Sequence, residues 1–253
     1  SAGHDFNYIS ITGAAAAIGT KQAPVPPLNL VGDFAGGSLF LVIGIIAALF
    51  EAQKSGKGQV IDTAITDGSA HLMSMFYSMD KLGAFNPQRA SNLLDGGTPY
   101  YDAYETADGK HVSVGSIEPQ FFAEMIHKTG LPEEYIAKQM DPTSWGDLKA
   151  ALTAAFRSRT RDEWVEIFEG SDGCVAGILD IQEAVEHPHN VARKTYIQVG
   201  DQMQPAPAPR FSRTECAQPT SPSSEGADTK SVLAEWRFDQ SSIEALDAAG
   251  VLT

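Results

Sequence analysis

The sequence contains one long apolar run, residues 34–50, in which seventeen consecutive residues carry no charge. This length is at the lower end of what a membrane-spanning helix needs. Three glycines within the run, Gly36, Gly37 and Gly44, suit close packing between helices, and the chain has no second run of this kind. We therefore expect a helix buried in the core of a folded domain rather than a membrane span.

The composition indicates a folded, acidic protein. Of the 253 residues, 43% are apolar, and 18 Lys and Arg stand against 32 Asp and Glu, a net charge of −14. The negative net charge makes nucleic acid or an anionic membrane unfavourable as the main partner, because binding to either requires clustered cations on the protein. Two cysteines cannot form a disulfide framework, and the last three residues are not a peroxisomal signal, so we predict a cytoplasmic location. Cys174 lies among apolar residues and is expected to be buried.

The patterning divides the chain into three parts. Residues 1–85 show helical patterns around the apolar run and are predicted to form part of a large α/β domain. Residues 86–204 are predicted to form a smaller α+β domain. Residues 205–253 begin with a Pro-Ala linker and end in short helices that return to the large domain.

Local signals within these parts predict particular elements. Residues 59–65 alternate in polarity like a strand. Residues 99–105 and 111–117 are predicted to form a hairpin across Asp108-Gly109. Thr160 with Glu163 three residues later predicts a capped helix start. In the last helix, Ser241 and Glu244 form a similar pair.

Three acid–base side chains have suggestive settings. His4 lies in Gly-His-Asp at an expected helix start, and Asp33 precedes a glycine-rich helix start, where the helix dipole favours a carboxylate. Glu118 lies between a predicted strand and a helix that begins with proline. The residues alone do not single these three out, because an ordinary helix cap explains His4 and Asp33, and a first-turn acid that favours the helix dipole explains Glu118. We predict no metal site, because the only paired histidines, His187 and His189, lack further ligands nearby.

Several runs, in order along the chain, resemble the family III CoA-transferase superfamily and, within it, its racemases. The runs are residues 3–8 (GHDFNY), 27–37 (PLNLVGDFAGG), 56–62 (GKGQVID), 92–101 (NLLDGGTPYY), 117–121 (IEPQF), 160–164 (TRDEW), 187–190 (HPHN) and 205–210 (PAPAPR). The resemblance covers essentially the whole chain. It implies a partial Rossmann-like large domain, a smaller α+β domain and a dimer of interlocked chains.

The resemblance also implies a reaction and its residues. These racemases interconvert R and S forms of 2-methyl-branched acyl-CoA thioesters, in fatty acid and lipid metabolism, by moving the α-proton through an enolate. His4 matches the base on one face, Asp33 the base on the other, and Glu118 the acid that orients the histidine. No cofactor is implied, since CoA is part of the substrate. Asn29 and the Asp33 amide match donors to the enolate oxygen, and the residues matching substrate or CoA contacts are Gly3, Asp5, Phe6, Asn7, Tyr8, Asn29, Gly32 and Tyr101.

The same resemblance implies that roughly the N-terminal third of a full-length member is absent here, including the residues that hold the CoA phosphates. We therefore predict that the chain alone binds CoA esters weakly or not at all. Its expected partners are a second copy, with Glu118 reaching the site of the opposite chain, or a separate chain that supplies the missing third.

Two other functions stay open at this point. The first is CoA transfer, in which Asp33 attacks the thioester to give a mixed anhydride and then an enzyme thioester. Transferases of this superfamily match at the aspartate but do not use a histidine at the His4 position. The second is an inactive fragment that serves only in assembly.

Overall fold

The computed structural model describes residues 2–252, a mixture of helices and sheets, and separates into two compact units, Ser1–Ile178 and Leu179–Thr253. The first unit contains α1 (Asp5–Ser10), α2 (Ala14–Ala17), a π-helical segment (Leu30–Leu39), α3 (Phe40–Ser55), α4 (Ile65–Leu72), α5 (Ser74–Lys81), β1 (Tyr101–Glu105), β2 (His111–Gly115), α6 (Pro119–Thr129), a 3₁₀ helix (Glu133–Lys138), α7 (Trp145–Phe156), α8 (Arg161–Phe168) and β3 (Val175–Gly177). The second contains α9 (Ile181–Glu186), α10 (Pro188–Arg193), β4 (Tyr196–Val199), β5 (Gln202–Pro205), α11 (Thr229–Glu235) and α12 (Gln240–Ala248).

The π-helical segment crosses α4 with the two backbones almost in contact. A Cβ atom on Gly68 would lie 1.8 Å from the carbonyl oxygen of Gly36, and one on Gly36 would lie 2.5 Å from Ser69 Oγ. Only glycine leaves room for two backbones at this separation. The glycines of the apolar run therefore serve close packing, as the sequence predicts.

The apolar helix forms but is not buried, so this prediction was wrong. None of the residues of α3 is buried in the described structure. One side contacts the rest of the first unit, where Phe40 packs edge-on against His71 and Gly44 lies close to Ile61. On the opposite side, Leu39 at the end of the π-helical segment and five side chains of α3 are each at least half exposed. We call these six the outer stripe: Leu39, Val42, Ile43, Ile46, Leu49 and Phe50. A helix that is apolar all round is normally covered on both sides.

By length and composition, the helical stretch Leu30–Ser55 could also cross a membrane. It is 26 residues long, because the π-helical segment and α3 run into each other without a break.

The strand predicted at residues 59–65 does not form. Residues 57–64 have no regular secondary structure, α4 begins at Ile65, and Val60 is 94% exposed. A strand requires a neighbouring edge that donates and accepts backbone hydrogen bonds. No other segment among residues 2–252 supplies such an edge here.

The predicted hairpin is confirmed, and its strands contribute to a hydrophobic core of buried residues between Tyr100 and Phe168. β1 pairs antiparallel with β2, Tyr101 opposite Gly115, and β2 pairs antiparallel with β3. Side chains of α6, α7 and α8 pack with those of β1 and β2 in one hydrophobic cluster. The capping box is also confirmed, because Thr160 Oγ1 accepts from the Glu163 amide and the Glu163 carboxylate accepts from the Thr160 amide. The buried side chains are Tyr100, Tyr104, Val112, Val114, Phe122, Met125, Ile126, Leu148, Leu152, Phe156, Trp164 and Phe168.

In the second unit, β4 and β5 form an antiparallel pair. The last helix starts earlier than predicted, because Asp239 rather than Ser241 is its cap and accepts from the Ser242 amide at 2.7 Å. An aspartate carboxylate is a favoured cap, and it precedes the serine in the chain. The division at residues 85 and 204 stays a prediction, although the hydrophobic clusters of the first unit do lie on either side of residue 85.

Candidate active site

His4 is held at the start of α1 by a self-contained turn. Its backbone is extended, its amide donates to Asn7 Oδ1 at 3.1 Å, and its carbonyl accepts from the Asn7 amide at 2.9 Å. Tyr8 Oη donates to the Gly3 carbonyl at 3.1 Å. The side chain of His4 is exposed. Gly3, Asn7 and Tyr8 therefore fix the position from which the imidazole projects.

Asp33 lies in the first turn of the π-helical segment and is half-buried. Asn29 precedes this segment, and its Nδ2 donates to Asp33 Oδ2 at 3.3 Å. The Phe34 amide donates to the Asn29 carbonyl at 3.2 Å, which closes the first wide turn. π-helical turns of this kind are rare and are often found at functional sites.

Asp5 links the segments that carry His4 and Asp33. Its side chain is only 7% exposed, and Oδ2 accepts from the Asp33 amide at 2.7 Å. Gly32 makes this approach possible, because a Cβ atom there would lie 2.2 Å from Asp5 Oδ2. Since Asp5 follows His4 directly, this bond joins the start of α1 to the start of the π-helical segment.

This bond involves two groups for which the resemblance implies other roles. The Asp33 amide was predicted to donate to an enolate oxygen, but it already donates to Asp5. Asp5, predicted as a substrate contact, is buried against protein. Phe6 is half-buried and packs against the cluster of Ile9, Ala14 and Ala15.

Glu118 and Tyr101 lie elsewhere in the first unit. Glu118 is exposed at the start of α6, after β2, with Pro119 as the first helical residue. Tyr101 opens β1 and lines an open cavity of about 460 Å³, together with Asp102, Gly115 and Cys174. No hydrogen bond or ion pair between described residues joins Glu118 to His4 or Asp33.

Cys174 is exposed, so its predicted burial was wrong. It has φ = 52°, a conformation that turns the chain just before β3, and its carbonyl accepts from the Gly115 amide at 2.9 Å. Partial burial of the sulfur raises the thiol pKa, and the nearby carboxylates of Glu118, Asp172 and Glu124 raise it further. The thiol is therefore a poor nucleophile at neutral pH.

Sequence reasoning missed a second cavity, of about 710 Å³, lined by residues 19–22, the loop 90–97 and part of α7. Lys149 on its wall pairs with Asp102 and donates to the Gly96 carbonyl at 3.1 Å. The run 92–101 contributed to the resemblance as a whole, without a role for Gly96. Nothing in the spacing of that run indicates that Gly96 contacts α7, about fifty residues further along the chain.

The buried carboxylate of Asp5 holds together the segment that carries the His4 imidazole and the segment that carries the Asp33 carboxylate. The family model for CoA-transferase family III matches residues 1–229. The chain therefore belongs to CoA-transferase family III. Its fold agrees, since the chain is similar to the crystal structure of a CAIB/BAIF family protein from Brucella suis, with a TM-score of 0.71 and 21% identity over 92% of this chain and 63% of that one.

Two relatives are similar over nearly the whole sequence. The chain is 42% identical to mouse α-methylacyl-CoA racemase, with 96% of this chain and 64% of the mouse protein covered. It is 39% identical to the human α-methylacyl-CoA racemase, with 99% of this chain and 66% of the human protein covered. The chain thus spans just under two thirds of the length of these relatives.

Proposed function

We propose that this chain carries the acid–base centre of a racemase that interconverts the R and S forms of 2-methyl-branched acyl-CoA thioesters. The observation that carries the proposal is the hydrogen bond from the Asp33 amide to Asp5, which holds Asp33 beside the segment that begins with His4. The names of the mouse and human relatives support the substrate class.

The chemistry follows from these groups. A base takes the proton from the carbon next to the thioester carbonyl, and the C–H electron pair moves into the carbonyl to form an enolate. The second group then gives a proton to the opposite face of the same carbon, so no oxidant or cofactor is needed. One group is protonated and the other is not at each moment. Histidine suits this role because its ordinary pKa is close to neutrality.

We assign the supporting roles as follows. Asn29 is the donor that stabilises the enolate oxygen or orients Asp33, and stabilisation of this kind is usually the largest contribution to catalysis. Glu118 orients the imidazole and supports its charged form. In the proposed interlocked homodimer, Glu118 comes from the second copy. This assignment fits the absence of a contact between Glu118 and His4 among the described residues of one chain.

We also propose that protein covers the outer stripe of α3. About a third of the length of each relative lies outside its match to this chain. We assign this additional length, on the same or a separate chain, as the occupant, because a helix with two apolar sides requires two covering layers. Cytoplasmic location is part of the proposal, and the two exposed free cysteines are compatible with a reducing compartment.

CoA transfer is the second candidate, and the family name favours it. Asp33 would attack the thioester carbonyl, and CoA would leave as the thiolate. The thiolate would then attack the Asp33 carbonyl of the mixed anhydride, which gives an enzyme thioester and releases the first acid as its carboxylate. The carboxylate of a second acid would attack the enzyme thioester to form a new anhydride and release CoA, and CoA would then attack its acyl carbonyl, which gives the new thioester and frees Asp33. The histidine at position 4 has no assigned step in this scheme.

An assay of the two activities in parallel separates the candidates. The chain is tested with a 2-methylacyl-CoA of one configuration, both alone and together with the segment of the mouse relative outside the match. We expect racemisation only in the assembled form, and its loss in His4→Ala. If His4→Ala loses racemisation but still moves CoA to a free acid, transfer is favoured. An assembly that binds the thioester but shows neither activity favours a role in assembly alone.

A further inference from the structure

We propose that Asp5 is a positioning residue that fixes Asp33 relative to His4, an inference that rests on the proposed function. The resemblance implies that Asp5 is a substrate contact. In the structure its carboxylate is 7% exposed and accepts from the backbone amide of Asp33 at 2.7 Å. Asp5 therefore acts on the site through the backbone and does not touch the reacting atoms.

The start of the π-helical segment explains why an acceptor is needed there. The first amides of a helical segment have no acceptor on a preceding turn and must find one elsewhere. The Phe34 amide donates to the Asn29 carbonyl, and the amide one residue earlier, that of Asp33, donates to Asp5. Asp5 thus caps this segment from α1, and its negative charge suits the positive end of the helix dipole.

The hydrogen bond between the Asp33 amide and Asp5 requires a buried carboxylate, which costs more free energy than an apolar side chain at the same place. Asp5 Oδ1 is buried with no hydrogen-bond partner among the described residues. A buried carboxylate with an unfilled oxygen is unfavourable, and such groups in folded proteins call for a reason. Gly32 is also specialised for this contact, because any side chain there would collide with Oδ2. Asp5 and Gly32 are therefore both specialised for the hydrogen bond from the Asp33 amide.

The geometry of a two-proton transfer supplies the reason. The two groups must lie on opposite faces of one carbon, and a displacement of about 1 Å can lower the rate about 100-fold. His4 is adjacent to Asp5 in the chain. The hydrogen bond from the Asp33 amide to Asp5 therefore connects the segments that carry the two groups that the reaction uses.

The first test measures hydrogen exchange at the Asp33 amide by NMR, without any need for activity. We expect Asp5→Ala to speed this exchange at least about tenfold. Asp5→Asn should remain close to wild type, because its amide oxygen can still accept. Asp62→Ala changes an exposed aspartate outside the site and is the matched control, with no expected effect. Unchanged exchange in Asp5→Ala would overturn the inference.

The second test measures kcat and KM for racemisation in the assembled form. Asp5→Ala should lower kcat about 100-fold with KM changed less than about threefold, and Asp5→Asn should restore most of the rate. Gly32→Ala keeps the carboxylate but displaces it, and should resemble Asp5→Ala. A higher KM with unchanged kcat would make Asp5 a substrate contact and overturn the proposal. If the wild-type assembly shows no racemisation but Asp5→Ala still speeds hydrogen exchange at the Asp33 amide, the proposed function is wrong. The role of Asp5 in holding Asp33 is then still supported.

Discussion

Asp95 holds the loop between α5 and β1 through four hydrogen bonds. It accepts from the amides of Ser91, Asn92 and Gly97 and from the Asn92 side chain. Burial opposes ionisation of Asp95, but these bonds together outweigh it and lower the pKa of the carboxyl. Asp95→Asn would turn an NH₂ group toward these donors. We expect it to reduce the free energy of unfolding by about 1–3 kcal/mol at pH 7, measured by urea denaturation.

The pH dependence of this effect has a defined sign. Because the pKa of Asp95 is lower in the folded chain, its carboxylate contributes stability that is fully present above the unfolded value, 3.8. That stability is lost as the pH falls through the folded value. The difference between wild type and Asp95→Asn should therefore shrink below about pH 4. Asp62→Asn, on an exposed side chain, is the control and should stay within about 0.5 kcal/mol. A difference that is constant from neutral to acidic pH would contradict this account.

At the scale of elements, the crossing of the π-helical segment over α4 depends on Gly68. A Cβ atom at this position would lie 1.8 Å from the Gly36 carbonyl oxygen, so Gly68→Ala must push the two elements apart. We expect a loss of about 1–3 kcal/mol in stability, measured by thermal or urea unfolding. Gly146→Ala in α7 is the matched control. Apart from its chain neighbours and the backbone of its own helix, no atom lies within 4 Å of the new Cβ, and the change should stabilise the chain by about 0.5–1 kcal/mol. Equal effects of the two changes would refute the close crossing.

The outer stripe of α3 predicts association of the isolated chain. We expect sedimentation to show species larger than the monomer, because six large apolar side chains face outward. Each such side chain contributes about 1.5 kcal/mol or more when buried. The triple variant Ile43→Ser, Ile46→Ser, Phe50→Ser should therefore weaken association at least about 100-fold.

The control for this prediction changes three exposed apolar residues of the second unit, Ile181, Val191 and Val251, to Ser. These residues are not on α3, and their replacement should leave association unchanged. A wild-type chain that stays monomeric at high concentration would contradict the proposal that protein covers the outer stripe.

Across the whole chain, structures that depend on neighbouring residues could be predicted from the sequence, and structures that depend on distant residues could not. The hairpin and the Thr160 cap depend on neighbouring residues, and both were correctly predicted. The burial of α3 and the strand at residues 59–65 were wrong, because each requires a neighbour that residues 2–252 do not supply. His4 and Asp33 could be nominated by resemblance, but no sequence pattern indicated that Asp5 connects them. Contacts between residues 28 positions apart leave no periodic signal.

We propose that His4 and Asp33 act on one α-carbon, and deuterium incorporation at that carbon distinguishes this from every other role of the two residues. The chain, assembled with the unmatched segment of the mouse relative, is incubated in D₂O with a 2-methylacyl-CoA of one configuration, and the label at the α-carbon is followed by mass spectrometry. We expect one deuterium per inverted molecule, and little or no label with His4→Ala combined with Asp33→Ala. An assembly that binds the thioester but leaves the α-carbon unlabelled, or one that labels it equally in the double variant, would contradict the account.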